Sequence, residues 1–546
     1  MLRSRPLTLL ALAAVPVAVL GVFFVLPVSG MLARGFWPDG RFDPGGVLAV
    51  LGRPRVHRVV WFTVWSAGAG TAVSLLLGLP AAYALHRLRF PGRGLVRALL
   101  LVPFVLPTVV VGVAFRELLG ESGPLGFLGL DGTALAIVAG LAFFNVAVVI
   151  RVVGAAWESL DPRPAEAAAA LGASPVQVLR TVTLPALRPA VVSAATVVFL
   201  FCATAFGVVL TLGGLRYSSV ETEIYLLTTN LLDLQAAAAL SVLQLVAVTV
   251  LLVLAGRLRA VPDPGVARAV ARPRRPGRGD LPALAATAAL LLLVAAPIAT
   301  LVAGSLRVDD AWSLGNYRAL TTTGSQQALL VPVTEALVTS LRTAFDATWM
   351  SLSMGLLVAV LVTRRSRTRA ERRIRTGLDG FFMLPLGVSA VTLGFGFLIT
   401  LDQPPFDWRD SPLLVPVAQA LVALPLVVRT IVPVLAGIDD RQRQAAASLG
   451  AGPLRALLTV DLPVVWKPLL AASGFAFAAS LGEFGATSFL VRDEHPTVPV
   501  VIFRLIGHPG PMNYGMALAA SVVLAATTAV VMLAVERLRV PSVGAF

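Results

Sequence analysis

Apolar runs long enough to cross a lipid bilayer fill most of this chain, and that feature removes nearly every soluble fold from consideration. A bilayer core about 30 Å thick needs roughly 20 apolar helical residues. Twelve runs meet the requirement. They lie near 7–28, 60–85, 95–118, 133–157, 190–213 and 235–258 in the first half, and near 281–304, 335–363, 377–400, 411–436, 469–490 and 514–537 in the second. Only 13% of residues are charged, where a soluble domain carries about 25%. The expected fold is all-α, a polytopic membrane protein of about twelve transmembrane helices. The charged start Met1-Leu2-Arg3-Ser4-Arg5 resembles a signal peptide, but the apolar run after it is too long for one, so it reads as an uncleaved first span.

The few charges are placed by side. Net charge is +15, and Lys467 is the only lysine among the 44 basic residues. With Arg3 and Arg5 in the cytoplasm and the sides alternating, three arginine-rich loops fall inside. They hold Arg87, Arg89, Arg93 and Arg97; then Arg257, Arg259, Arg268, Arg272, Arg274, Arg275 and Arg278; then Arg364, Arg365, Arg367, Arg369, Arg372, Arg373 and Arg375. The tail with Arg537 and Arg539 falls inside too. Outer loops carry Glu117, Glu121 and Asp131, and Asp402, Asp407 and Asp410. This is the positive-inside pattern, with both termini cytoplasmic, and it excludes a nucleic-acid partner as the reason for the basic charge. Cys202 is the sole cysteine, so no intrachain disulfide or thiolate metal cluster can form. No metal site is expected; His495 and His508 read as surface groups.

Residues 259–280 are rich in Arg, Pro and Gly without hydrophobic period, a solvated linker. It divides the chain into a first half, 1–258, and a second, 281–546. The halves repeat at an offset of 278: 166–185 reads EAAAALGASPVQVLRTVTLP and 444–463 reads QAAASLGAGPLRALLTVDLP, identical at twelve of twenty positions. The same offset pairs Arg151 with Arg429, Asp161 with Asp439, Phe206-Gly207 with Phe484-Gly485, and Ile224 with Ile502. Transporters are often built as such repeats, with the path between them. Each copy falls in a cytoplasmic loop, 158–188 or 438–468. Each predicts a short helix, a stop at Gly172 or Gly450, and a second helix begun by Pro175 or Pro453. Small alanines permit close approach of another surface, and Leu171 and Leu179, or Leu449 and Leu457, can enter a partner's groove.

These two segments resemble the EAA loop of ABC-importer permeases. The pattern is carried by Glu166-Ala167-Ala168, Gly172 and Leu184-Pro185, and again by Gln444-Ala445-Ala446, Gly450 and Leu462-Pro463. Gln444 replaces the acidic residue in the second copy. The resemblance covers essentially the whole chain. It implies a loop that docks on a separate ATPase, two copies of that ATPase at the cytoplasmic face, an extracytoplasmic substrate-binding protein, membrane lipid around the spans, and residence in a bacterial plasma membrane. The chain lacks a GxxxxGK[ST] phosphate loop, so ATP and magnesium belong to the partner. The chain itself is expected to be no enzyme and to bind no cofactor.

The candidate path residues are Glu483, Phe206, Phe484 and Asn145. An ionisable residue near a span is costly in lipid and faces a cavity or partner; for Glu483 a helix cap is the competing reading, and for Asn145 an interhelical hydrogen bond. The segments from Gly213 through Tyr217, Glu221, Glu223 and Asn230, and from Arg492 through Arg504, His508, Asn513 and Tyr514, are the expected outer receiving surface. The stretch Phe206-Gly207-Val208-Val209-Leu210-Thr211-Leu212-Gly213-Gly214, followed by Glu221 to Tyr225, resembles the iron/thiamine group of fused permeases, which implies ferric iron or thiamine as cargo. Sulfate, molybdate, phosphonate and polyamine importers carry similar loops. An ion-gradient-driven secondary transporter is the rival class, and it leaves the twin loops without a purpose.

Overall fold

A computed structural model describes residues 5–38, 40–214, 216–258, 273–309, 311–364, 366, 368–402 and 407–538. The central part of the expected linker, 259–272, lies outside the described residues, as do Arg3, Arg365, Arg367, Arg539 and Leu215. Among the described residues, ten helices are long and apolar enough to cross a membrane: Ala13–Phe36, Pro54–Arg87, Ala134–Glu158, Pro175–Ala203, Leu234–Leu254, Arg278–Ser305, Val333–Thr363, Leu414–Ala436, Leu454–Leu481 and Pro511–Val535. They correspond to ten of the twelve expected spans. Strand structure among the described residues is one two-residue hairpin, Arg307–Val308 against Ala311–Trp312.

The other two expected spans are broken, which corrects their reading as continuous helices. Span 95–118 is two helices, Arg93–Phe104 and Thr108–Leu119, bent by 105°. Span 377–400 is divided between the arginine-rich helix Arg369–Met383 and the short apolar helix Ala390–Thr400, with a 3₁₀ turn at Leu384–Gly387. Proline explains both breaks: Pro103 and Pro107 at the first and Pro385 at the second remove amide donors and clash with the preceding turn. Hydropathy averaged over a window cannot register this. The fifth and eleventh spans are also shorter than expected at their ends. Leu184–Ala203 stops before Phe206, and Leu462–Leu481 stops before Glu483; the short helices Gly207–Gly213 and Thr487–Leu490 follow.

The breaks close by tight backbone approach. A Cβ on Gly207 would lie 2.4 Å from Thr108 Oγ1, and one on Gly485 would lie 3.0 Å from Ala390 Cβ. In each half the matched Phe-Gly therefore seats against the start of the short helix that follows the proline break. Two further helices, Val220–Thr229 and Val498–Gly507, are anchored alike. The amide of Val220 donates to Thr63 Oγ1 at 2.9 Å, and that of Val498 to Ser340 Oγ at 2.8 Å.

Contacts group the described residues into two compact units. One comprises those within Met1–Leu51, Ile224–Leu245 and Gly315–Gly544; the other those within Gly52–Glu223 and Val246–Leu314. The units do not follow the halves of the repeat. In the first unit, the helix Ala13–Phe36 packs on Ala390–Thr400, with Phe23 against Phe397 at 6.0 Å and against Trp408 at 5.0 Å. In the second, Leu281–Ser305 packs on Pro54–Arg87 and Thr108–Leu119. The opening helix of each half thus joins the unit built mainly from the other half, a pairing that sequence periodicity cannot specify.

Within each unit the principal helix pair meets at a glycine. A Cβ on Gly78 would lie 2.8 Å from Val149 Cβ, between Pro54–Arg87 and Ala134–Glu158. A Cβ on Gly355 would lie 2.5 Å from Val427 Cγ1, between Val333–Thr363 and Leu414–Ala436. Lipid tails are as apolar as leucine, so helices in a bilayer associate through close packing, which small residues allow. Around Val427 the core is small as well: Ala359, Ala423, Ala472 and Ala476 are buried there. Gly355→Leu is expected to lower the melting temperature of the detergent-solubilised protein, by overpacking that costs about 1–3 kcal/mol. Gly68→Ala, whose Cβ would meet nothing within 4 Å, is expected to leave it unchanged or raise it slightly. A thermal-shift comparison of the two variants checks the assignment.

Candidate functional site

The two elbows are built by the same local chemistry. Asp161 Oδ1 accepts from the amide of Arg163 at 3.0 Å and opens helix Arg163–Ala170; Asp439 Oδ1 accepts from the amide of Arg441 at 3.0 Å and opens Asp440–Ser448. An acceptor at this position satisfies a helix-end donor that would otherwise have no partner. Each helix stops at a glycine in the left-handed region, Gly172 with φ +88° and Gly450 with φ +84°. The amides that follow fold back on the last turn. Ala173 donates to Ala168 O at 3.1 Å and Ala451 to Ala446 O at 3.0 Å. This stop uses the conformational freedom that glycine alone has without penalty. The chain then restarts as Pro175–Val178 or Pro453–Ala456. In the first elbow Ser174 and Gln177 cap reciprocally, the Gln177 amide donating to Ser174 Oγ at 3.3 Å and the Ser174 amide to Gln177 Oε1 at 2.8 Å. A five-residue π segment, Leu179–Thr183 or Leu457–Asp461, leads into the long helix beyond.

The elbows present a matched surface. Glu166, Ala167, Gly172, Leu184 and Pro185 are exposed and Ala168 is half-buried; Gln444, Ala445, Gly450 and Pro463 are exposed, with Ala446 and Leu462 half-buried. At each bend a leucine stands almost wholly free, Leu171 at 89% and Leu449 at 87%. Val176, Leu454 and Leu458 extend the apolar surface beside them. Each elbow thus exposes apolar side chains among polar neighbours.

One difference separates the elbows, and sequence reasoning does not single it out. Asp461, wholly buried, receives Arg364 at 2.5 Å and Arg443 Nε at 2.8 Å. Arg443 also reaches Asp440 at 3.0 Å and Leu435 O at 3.1 Å. This network ties the second elbow to the end of the helix Val333–Thr363. At the repeat offset the first elbow has Thr183 and Ala165 in place of Asp461 and Arg443. The mismatch is visible in the aligned repeats, but its meaning depends on a burial that sequence does not give. Near the first elbow a different pair occurs: buried His86 places Nδ1 2.7 Å from Glu158 Oε1 and lies directly against Gly154.

Each of the four path candidates has its own local surroundings. Glu483 accepts from the amides of Ala486 at 2.8 Å and Thr487 at 3.0 Å, and from the Thr487 hydroxyl. It is the cap of the short helix Thr487–Leu490, so the geometry realises the capping alternative. Asn145 donates to Leu141 O at 2.9 Å and to Cys202 Sγ at 3.3 Å, joining two helices. Phe206 is buried at the break before Gly207–Gly213. Phe484 packs at a tilt against Phe503, with ring centroids 5.5 Å apart, and borders a cavity. The expected outer receiving surface is corrected in part. Glu221 and Glu223 are buried, and Glu223 accepts from Arg55 at 2.5 and 3.1 Å. In the second segment, Arg492 pairs with Asp410 and Arg504 with Asp493. The short run Val220–Thr229 carries polar residues at both ends of an apolar middle, and the sequence could not show which side would be covered. Among the described residues no cluster of three or more metal-ligating side chains occurs.

Comparison with known proteins places the whole arrangement. The family model described as "Binding-protein-dependent transport system inner membrane component" matches residues 74–268 and again 351–539. The chain is 30% identical to the thiamine transport system permease protein ThiP of Brucella abortus (strain 2308) over 466 residues, covering 82% of each chain. It is 28% identical to ThiP of Escherichia coli (strain K12), over 82% of this chain and 83% of that one. A Sinorhizobium fredii protein named "Probable ABC transporter permease protein y4fN" is 27% identical over 94% of both. The two matched regions start 277 residues apart and each contains one elbow. By its sequence, its apolar helices and this doubled match, the chain belongs to the family of binding-protein-dependent transport system inner membrane components, as a multi-pass permease carrying the family domain twice.

Proposed function

We propose that this permease is the membrane subunit of an ATP-driven importer for thiamine, delivered by an extracytoplasmic binding protein, with one copy of a separate ATPase docked at each elbow. The observation that carries the reading is the pair of elbows at matched repeat positions, each ending on a glycine of positive φ and offering one nearly free leucine. Leu171 and Leu449 enter a cleft on the ATPase, and the helices beginning at Pro175 and Pro453 carry the displacement into the spans beyond. Closure of the ATPase dimer on ATP draws the elbows together and opens the path outward; hydrolysis returns it inward. ATP and magnesium are bound by the partner, and both termini of this chain lie in the cytoplasm. Thiamine is favoured as cargo by the names of the relatives in Brucella and Escherichia coli; ferric iron is the alternative.

Docking is tested by co-expression with the partner ATPase. Leu171→Asp with Leu449→Asp is expected to leave the permease in the membrane and to abolish co-purification of the ATPase. Undiminished co-purification would remove these leucines from the interface, and failure of the parental chain to retain any ATPase would favour the ion-gradient class.

Coupling is tested at the bends. In Gly172→Val with Gly450→Val, each valine must adopt a left-handed conformation at a cost of about 1–2 kcal/mol, though neither Cβ would meet an atom within 4 Å. The double variant is expected to bind ATPase yet lose at least about tenfold in uptake relative to ATP hydrolysed. Uptake at the parental ratio would count against force transmission through these glycines.

Cargo is tested in proteoliposomes holding permease, ATPase and cognate binding protein. ATP-dependent accumulation of labelled thiamine is expected. Accumulation of ferric iron without thiamine would overturn the cargo and leave the coupling scheme intact.

A further inference from the structure

Tyr225 lies in helix Val220–Thr229 and Phe503 in helix Val498–Gly507, and the two occupy the same position of the repeat, 278 residues apart. Their rings meet edge to face with centroids 6.5 Å apart. Matched positions of the two repeats thus meet directly at this point, and transporters built as repeats carry their path between them.

The rings continue to either side. Tyr225 meets Phe489 edge-on at 5.5 Å, and Phe503 meets Phe484 at 5.5 Å. Beside them is a cavity of about 200 Å³, bordered by Tyr225, Phe484 and Phe503 with Ser488, Arg504 and His508. A cavity of about 150 Å³ lined by apolar side chains accepts benzene, so this space suits a single heteroaromatic ring. The ring faces are negative at their centres and attract planar cations and other rings. The Arg504 charge at the border is met by Asp493 at 2.5 Å, which reduces its repulsion of an arriving cation. The repeat counterparts of Arg504 and His508 are Leu226 and Asn230, so the polar border belongs to one repeat while the stacking pair is shared by both.

We propose that this aromatic cavity, at the meeting of the matched rings, is a transit site that stacks a planar, cationic heteroaromatic ring. The inference rests on the cargo reading above and names thiamine as the solute held.

The test uses the complete complex of permease, ATPase and binding protein in proteoliposomes, with labelled thiamine as probe. Tyr225→Ala and Phe503→Ala are expected to lower uptake roughly tenfold each, the effect of removing one stacked ring. Tyr225→Phe, which keeps the ring, is expected to retain it. Ser488→Phe fills the cavity without removing any packing side chain and is expected to block uptake. In all four variants ATPase activity stimulated by the binding protein is expected to persist, which separates loss of the transit site from loss of fold or coupling. Parental uptake in Tyr225→Ala, Phe503→Ala and Ser488→Phe alike would overturn the transit site while leaving thiamine as cargo. A parental complex that hydrolyses ATP on binding-protein addition but moves no thiamine would overturn the cargo reading and this proposal together.

Discussion

A backbone amide or carbonyl without a partner costs several kcal/mol in hydrocarbon, and each irregular feature of this permease is arranged around that cost. Its ten long helices satisfy themselves. At several of the interruptions a side chain supplies the missing acceptor. Glu483 serves the amides of Ala486 and Thr487; Ser389 serves Thr392 at 3.0 Å; Thr63 and Ser340 serve Val220 and Val498. The last two are reciprocal features of the repeat, and they hold the short helices that carry Tyr225 and Phe503. Polar residues within apolar segments here thus serve largely as structural donors and acceptors.

Much of this was legible before any coordinates. Hydropathy located all twelve apolar segments, and the repeat located both elbows with their terminating glycines, because a positive φ leaves a glycine in the sequence wherever a helix must end sharply. The failures have a common cause. Proline breaks at Pro103, Pro107 and Pro385 sit inside windows whose mean hydropathy is unaffected by them, so two spans read as continuous. Glu221 and Glu223 read as surface because they are acidic, whereas Glu223 has Arg55, far away in sequence, as its partner. The assignment of the opening helices to compact units, and the meeting of Tyr225 with Phe503, are likewise long-range facts that periodicity does not encode.

The repeat does more than duplicate a bundle. Matched glycines against matched valines fix the same helix pair in both units, with Gly78 on Val149 and Gly355 on Val427. Conservation of this contact within one chain shows that the close crossing is a geometric requirement of the architecture and not an accident of either copy. The Phe-Gly pairs behave in the same way, seating against Thr108 in one copy and Ala390 in the other. Symmetry here is a property of backbone approach, while side-chain polarity is free to diverge.

That freedom is used most at Asp461. A carboxylate removed from water and held by two guanidinium groups is stable only while both remain, and loss of one such partner typically costs about 3–5 kcal/mol. The second elbow is therefore bolted to its bundle, whereas the first has Thr183 at the corresponding place. Joining the halves in one polypeptide lets such an inequality persist, since each elbow is always delivered with its own mate and never with a copy of itself. The residues around Asp461 can therefore be kept or lost in one half without any matching change at Thr183 in the other.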